Sequence, residues 1–188
     1  MHALRRCVIV ALLFAAASIR ADGQDGTPIA AAARAQVGVT TSYDPSYRRI
    51  AFPNGDVPAD TGVCADVVVR ALRGVGIDLQ SEVNADMRAH FSAYPANWGL
   101  AKPDRNIDHR RVPNLRRWFQ RRGWSLGVSA DAADYRPGDI VSWTLANGRP
   151  HIGVVSSRRD ASGRPLVVHN IAVGAREEDV LFAWAITG

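Results

Sequence analysis

Ile140-Val141-Ser142-Trp143, His151-Ile152-Gly153-Val154-Val155-Ser156 and Leu166-Val167-Val168-His169-Asn170-Ile171 are short runs rich in β-branched and aromatic residues. That composition, bounded by turn residues such as Pro137-Gly138-Asp139 and Gly148-Arg149-Pro150, predicts strands. Trp124 to Val128 and Leu181 to Ile186 have the same character and complete a set of five predicted strands. Upstream of them the pattern is helical. Thr27-Pro28 predicts a capped start for a helix over Ile29 to Val37, ended by Gly38. Thr61 predicts a cap for a second helix running to about Arg73 and closed by Gly74, with Val63, Val67, Ala71 and Leu72 at helical spacing. Ser81 predicts a third helix to about Ala93, with Val83, Met87 and Phe91 on one face. Pro113 opens a fourth, in which Leu115, Trp118 and Phe119 point inward and Gly123 ends the element. Between the first two helices, residues 40 to 60 carry Pro45, Pro53, Asn54-Gly55 and Pro58, a long irregular loop. Helices followed by consecutive strands predict an α+β domain with an antiparallel sheet.

The remaining chain bounds the location. Arg5 and Arg6 precede an almost wholly apolar run, Cys7 to Ile19, and small residues follow. This is the layout of a secretory signal over residues 1 to 21, and the run is short for a membrane span of about 20 residues. The sequence therefore predicts export to the periplasm or medium, a loose lead-in over 22 to 27, one domain over 28 to 188, and no stable membrane insertion. The whole chain has 23 Lys+Arg against 18 Asp+Glu, but Arg5, Arg6 and Arg20 belong to the signal and no acid does. What remains is close to neutral, and the basic isoelectric point carries no argument for nucleic acid. One local excess persists: Lys102, Arg105, Arg110, Arg111, Arg116, Arg117, Arg121 and Arg122, opposed by Asp104 and Asp108. It reads as a solvated helix face or as a patch for carboxylate-rich substrates.

Cys64 is the one cysteine outside the signal segment. It sits in Asp60-Thr61-Gly62-Val63-Cys64-Ala65-Asp66, in the first turn of the second predicted helix, near its third position. Unpaired N–H groups and the positive end of the helix dipole gather there, favour thiolate and can hold an oxyanion. A nucleophile needs a base, and His151 opens a predicted strand. A base needs an orienting partner, and the next strand supplies His169 or Asn170, which point to opposite faces. Asp139, in its turn, and Asp108-His109 are further candidates for that role.

The helix-start cysteine, Pro137-Gly138-Asp139-Ile140-Val141, His151-Ile152-Gly153-Val154-Val155 and a polar residue on the following strand resemble the NlpC/p60 cysteine peptidases. More closely, Thr61 to Arg73, Pro103 to Leu115 and Val168-His169-Asn170-Ile171 resemble a bacterial exported family catalogued as a domain of unknown function, number 1287, related to that group. The resemblance implies a papain-type α+β domain that cleaves an amide bond in peptidoglycan stem peptides or a small peptide substrate. It implies Cys64 as nucleophile, His151 as base and His169 as the third residue, with Asn170 the alternative, and no cofactor. Val63-Cys64-Ala65-Asp66 departs from the usual Asp-Cys-Ser-Gly, and the Asn106 to Leu115 block has no counterpart in ordinary members. That block suggests a different pocket, with Arg110 or Arg111, beside Asp108 and His109, gripping a substrate carboxylate.

Three other readings compete. Cys64, His151 and His169 form a possible zinc set, although no compact ligand pair exists among them. The domain could instead be a non-catalytic wall-binding module. An acyltransferase or thioesterase would use the same dyad. A monomer is expected.

Overall fold

The computed structural model describes residues 26–188. The expected signal segment and most of the lead-in lie outside the described residues. Four α-helices come first: α1 (Thr27–Arg34), α2 (Cys64–Arg73), α3 (Leu79–Ala89) and α4 (Val112–Arg121). Two two-residue strands, β1 (Ser42–Tyr43) and β2 (Thr61–Gly62), pair in parallel within the long loop. The main sheet holds β3 (Ile140–Thr144), β4 (Pro150–Arg159), β5 (Pro165–Asn170), β6 (Ala175–Glu178) and β7 (Ala185–Ile186), in the order β6-β5-β4-β3-β7. Every pairing in it is antiparallel. The α+β class is therefore as expected. Among the described residues no helix is long and apolar enough to cross a membrane.

The pleat gives the sheet two buried faces. Ile152, Val154 and Val168 meet Val67, Val68, Leu72, Leu115 and Trp118 in the helical core. Val141, Trp143, Val155 and Val167 form a second, smaller core with Tyr135 and Leu181. This explains why β4 and β5 read as near-continuous apolar runs instead of alternating ones. Gly153 sits where the two strands press together. A Cβ there would stand 2.8 Å from Val167 Cγ1 and 2.9 Å from the Val168 carbonyl oxygen. Only glycine lets β5 approach β4 this closely.

Several boundaries differ from the sequence reading, each for a local reason. Thr61 belongs to β2 and does not cap α2; Val63 does, in extended conformation, which makes Cys64 the first helical residue and not the third. Val63 has no side-chain acceptor, so the cap runs one way: its N–H donates to Asp66 Oδ2 at 2.6 Å. Asp78, not Ser81, caps α3 by accepting from the Gln80 N–H at 3.1 Å, and Ser81 donates to Asp78 instead. Trp124 to Val128 pairs with no strand. Gly123 turns the chain back at the end of α4, the Trp124 N–H bonds Phe119 O at 2.9 Å, and the run leaves the sheet. Leu181 to Ile186 pairs only through β7, because the Trp143 indole donates to Leu181 O at 2.9 Å and holds the segment across the second core. β6 carries Ala-Arg-Glu-Glu, an edge strand with no β-branched signal.

The start of α2 is fixed from a distance. Arg110, in the short helical turn Asp108–Arg110, donates from Nε to Asp66 Oδ1 at 2.7 Å and from Nη2 to Asp66 Oδ2 at 2.8 Å. Both side chains are buried. Breaking such a pair from one side strands a charge away from water. Arg110→Met or Asp66→Asn should each lower unfolding stability by about 3–5 kcal/mol. Urea titration checks this; a loss under about 1 kcal/mol would mark the pair as a solvated one.

Candidate active site

Cys64, His151 and His169 converge on the mouth of β4, but in two groups. The Cys64 side chain is 6% exposed and belongs to the helical core beside Ile152. Burial pushes its thiol up to about 12, and the Asp66 carboxylate adds to this against the N–H groups of Ile152, Ala65 and Cys64 itself. The sulfur therefore lies against the Ile152 amide, the peptide that links Ile152 to His151. Among the described residues no hydrogen bond joins the sulfur to either imidazole.

The two imidazoles meet on the other side of the pleat. His151 Nε2 and His169 Nδ1 are 2.9 Å apart, and His169 Nε2 is 3.0 Å from Glu178 Oε2. Their protons can be placed by elimination. A carboxylate only accepts, so His169 Nε2 carries its proton toward Glu178. Burial pulls the His169 pKa down against the pull of Glu178, so the ring is neutral near pH 7 and Nδ1 is a lone pair. His151 must then donate from Nε2, which leaves Nδ1 as its free basic nitrogen. Burial first, and the His169 ring second, push the His151 pKa down to about 3. Trp143 stacks along the His151 ring (centroids 5.7 Å, 29°) and Trp184 meets it edge-on (5.6 Å, 82°).

The strand alternation left open by the sequence is resolved here. His169 shares a face with His151. Asn170 faces the helices, where Nδ2 donates to Gly62 O at 2.9 Å and Oδ1 accepts from the Gly174 N–H at 3.2 Å. It ties β5 to the chain two residues before Cys64. Asp139 stays in its turn, accepting from the Arg136 N–H at 2.7 Å.

The block from Asn106 to Leu115 is mostly scaffold. Arg110 has its carboxylate-gripping edge filled by Asp66. Asp108 is buried, accepting from the Asp104 N–H at 2.6 Å and from Arg111 Nη1 at 2.9 Å. Arg111 lies 4.0 Å from the centre of the Trp98 ring. His109 is buried with no partner at Nδ1, and burial lowers its pKa to about 4. None of these four reaches the imidazole pair. Among the described residues no group of three His, Cys, Asp or Glu side chains is placed to hold a metal ion.

The sequence reading missed Asp66, Glu178, Trp143, Trp184, Tyr43 and Arg149. Asp66 carried a signal, an acid two residues past a helix-start cysteine. Tyr43 lies in the electrostatic range of Cys64 and Arg149: burial raises its pKa, negative charge on the Cys64 sulfur raises it further, and Arg149 opposes. No local pattern places that tyrosine near the sulfur.

The profile of the family described as "Domain of unknown function (DUF1287)" matches residues 30–188, which spans the fold and every residue of this site. The chain belongs to the DUF1287 family. A DUF1287 relative in Escherichia coli (strain K12), named "Uncharacterized protein YijF", is 54% identical over 160 residues, covering 85% of this chain and 78% of that protein. No solved structure matches.

The DUF1287 domain keeps three buried imidazoles neutral whose unfolded forms titrate near 6.5: burial lowers His151 to about 3 and His109 to about 4, and lowers His169 as well. The folded state refuses protons that the unfolded chain takes. Stability is full above pH 6.5 and falls as pH drops from there toward 4, by about 1.4 kcal/mol per pH unit for each ring that is still neutral. Urea midpoints measured from pH 7.5 to 4.5 should decline below 6.5, and His109→Gln should remove about one ring's share of the slope. A flat midpoint across that range would contradict the burial argument.

Proposed function

We propose that the protein is an exported cysteine hydrolase with a papain-type domain of the NlpC/p60 kind. Its substrate is an amide bond in peptidoglycan stem peptides. One observation carries the reading: a three-member relay, Glu178–His169–His151, leaves the free nitrogen on the imidazole whose own peptide touches the Cys64 sulfur. The substrate class comes from the likeness of the cysteine, Pro-Gly-Asp and His-Ile-Gly motifs to those peptidases.

The chemistry follows from the resting protonation states. The sulfur is held as a thiol and both imidazoles are neutral, so the proton moves during attack and not before it. His151 Nδ1 takes the Sγ proton as sulfur bonds to the carbonyl carbon. N–H groups at the first turn of α2 hold the oxyanion. The carbon–nitrogen bond breaks, and the imidazolium returns its proton to the leaving amine. Water, deprotonated by His151, then attacks the thioester, releasing the acid and restoring the thiol. His169 and Glu178 act by fixing the His151 tautomer and sharing its transient charge. The ring and the sulfur stand on opposite sides of the resting strand, so the attack requires the mouth of β4 to shift when substrate enters.

A wall-binding module without catalysis is favoured by one fact, the near-complete burial of Cys64. Purified sacculi and defined muropeptides, followed by mass analysis, separate the two. Wild type should release cleaved stem peptides. Cys64→Ser should lower turnover by about a thousandfold or more while melting within a few degrees of wild type. Glu178→Gln should lower kcat by roughly 10–100-fold with little change in KM. Binding to sacculi with no product, unchanged in Cys64→Ser, would replace the hydrolase with the binding module.

A further inference from the structure

A concave site lies at the far end of α2 from Cys64, roughly 15 Å away along ten helical residues. Its volume is about 220 Å³, and Ile77, Asp78, Glu82, Trp118, Arg122 and Trp124 line it. Two indoles build it. Gly123, at φ +70°, reverses the chain so that Trp124 packs back on α4. Trp124 stacks along Phe119 (centroids 6.4 Å, 28°) and meets Trp118 edge-on (5.4 Å, 87°). Held this way, Trp124 is still 53% exposed. Trp118 is 1% exposed, and its Nε1–H has no acceptor. The Arg122 guanidinium lies 5.2 Å from the Trp118 ring and pairs with Glu82 across the cleft.

We propose that this cleft is a saccharide-binding site that takes a neutral pyranose ring. The choice follows from what the walls accept. Arg122 is paired with Glu82, and the Asp78 carboxylate is taken up by the Asn54 and Gln80 N–H groups and the Ser81 hydroxyl, so the walls hold no free charge of either sign to select an ion. A rigid exposed indole presents the negative face of its quadrupole, which suits the weakly positive axial C–H groups on one side of a sugar ring. The Glu82–Arg122 pair offers an acceptor and a donor side by side, the arrangement that two neighbouring hydroxyls complete. A buried indole N–H without an acceptor costs about 1–3 kcal/mol, and the cleft wall carries one at Trp118. An apolar wall with a few convergent polar groups is the general form of a small-ligand site. The proposal stands apart from the Cys64 chemistry, since none of its residues belongs to that site.

The test is a titration of ¹⁵N-labelled full-length protein with chitotriose, followed by the indole N–H resonances. Saturable shifts of both the Trp118 and Trp124 indole signals are expected, with a dissociation constant of about millimolar order. Trp124→Ala, which removes an exposed ring, and Glu82→Gln, which keeps the shape, should each weaken binding about tenfold while the rest of the spectrum stays native. Cys64→Ser should bind as wild type does. The proposal is overturned if neither indole moves by about 20 mM sugar, or if natively folded Trp124→Ala binds equally well. It is also overturned if inorganic phosphate or tetramethylammonium shifts the same indoles more strongly than chitotriose.

Discussion

Asp66 makes three bonds at once, and the site depends on them. One carboxylate accepts the Val63 N–H and both arms of Arg110. The first bond starts α2 one residue before Cys64. The other two fasten that start to the segment before α4. Position and direction of the sulfur are therefore set by a residue from the middle of the chain. A buried ion pair is a poor source of net stability, because desolvation offsets most of its attraction. Its effect here is geometric: it permits one arrangement of helix start against helix start.

The sheet supplies the second half of the site by a different device. Antiparallel pairing of β4 with β5, with Val154 opposite Val168, and the close approach allowed at Gly153, bring His151 and His169 together on one face. Asn170, one residue along, points the other way and anchors the loop before Cys64. One strand thus orients His151 with one side chain and locates the loop before Cys64 with the next. The two cores meet at the mouth of β4, where the Ile152 amide lies against the sulfur and the His151 ring leaves on the opposite side.

Much of this was legible in the sequence. The change from helical spacing to β-branched runs gave the α+β class, and the lone cysteine with His151 and His169 gave the residues that gather at β4. What escaped depends on contacts between distant segments. Trp124 to Val128 has strand composition, but a glycine and two aromatic contacts draw it onto α4. β6 has no strand signal and exists because β5 offers it an edge. Arg110 reads as a free cation until the fold places Asp66 against it. Glu178 lies in that same unsignalled strand, so the end of the imidazole relay could not be seen before the pairing of β5 with β6. The choice between His169 and Asn170 was a question of which face turned inward, a property of the assembled sheet and not of either residue.

The central claim is the protonation pattern: Glu178 fixes His169, His169 fixes His151, and Nδ1 of His151 remains the free base. Long-range ¹H–¹⁵N NMR of the imidazoles at pH 7 reads this directly. Both rings should be neutral and carry their proton on Nε2, with His151 Nδ1 in the shift range of an unprotonated nitrogen. A His151 ring protonated on Nδ1, or either ring charged at that pH, would contradict the relay and remove the base from the proposed mechanism.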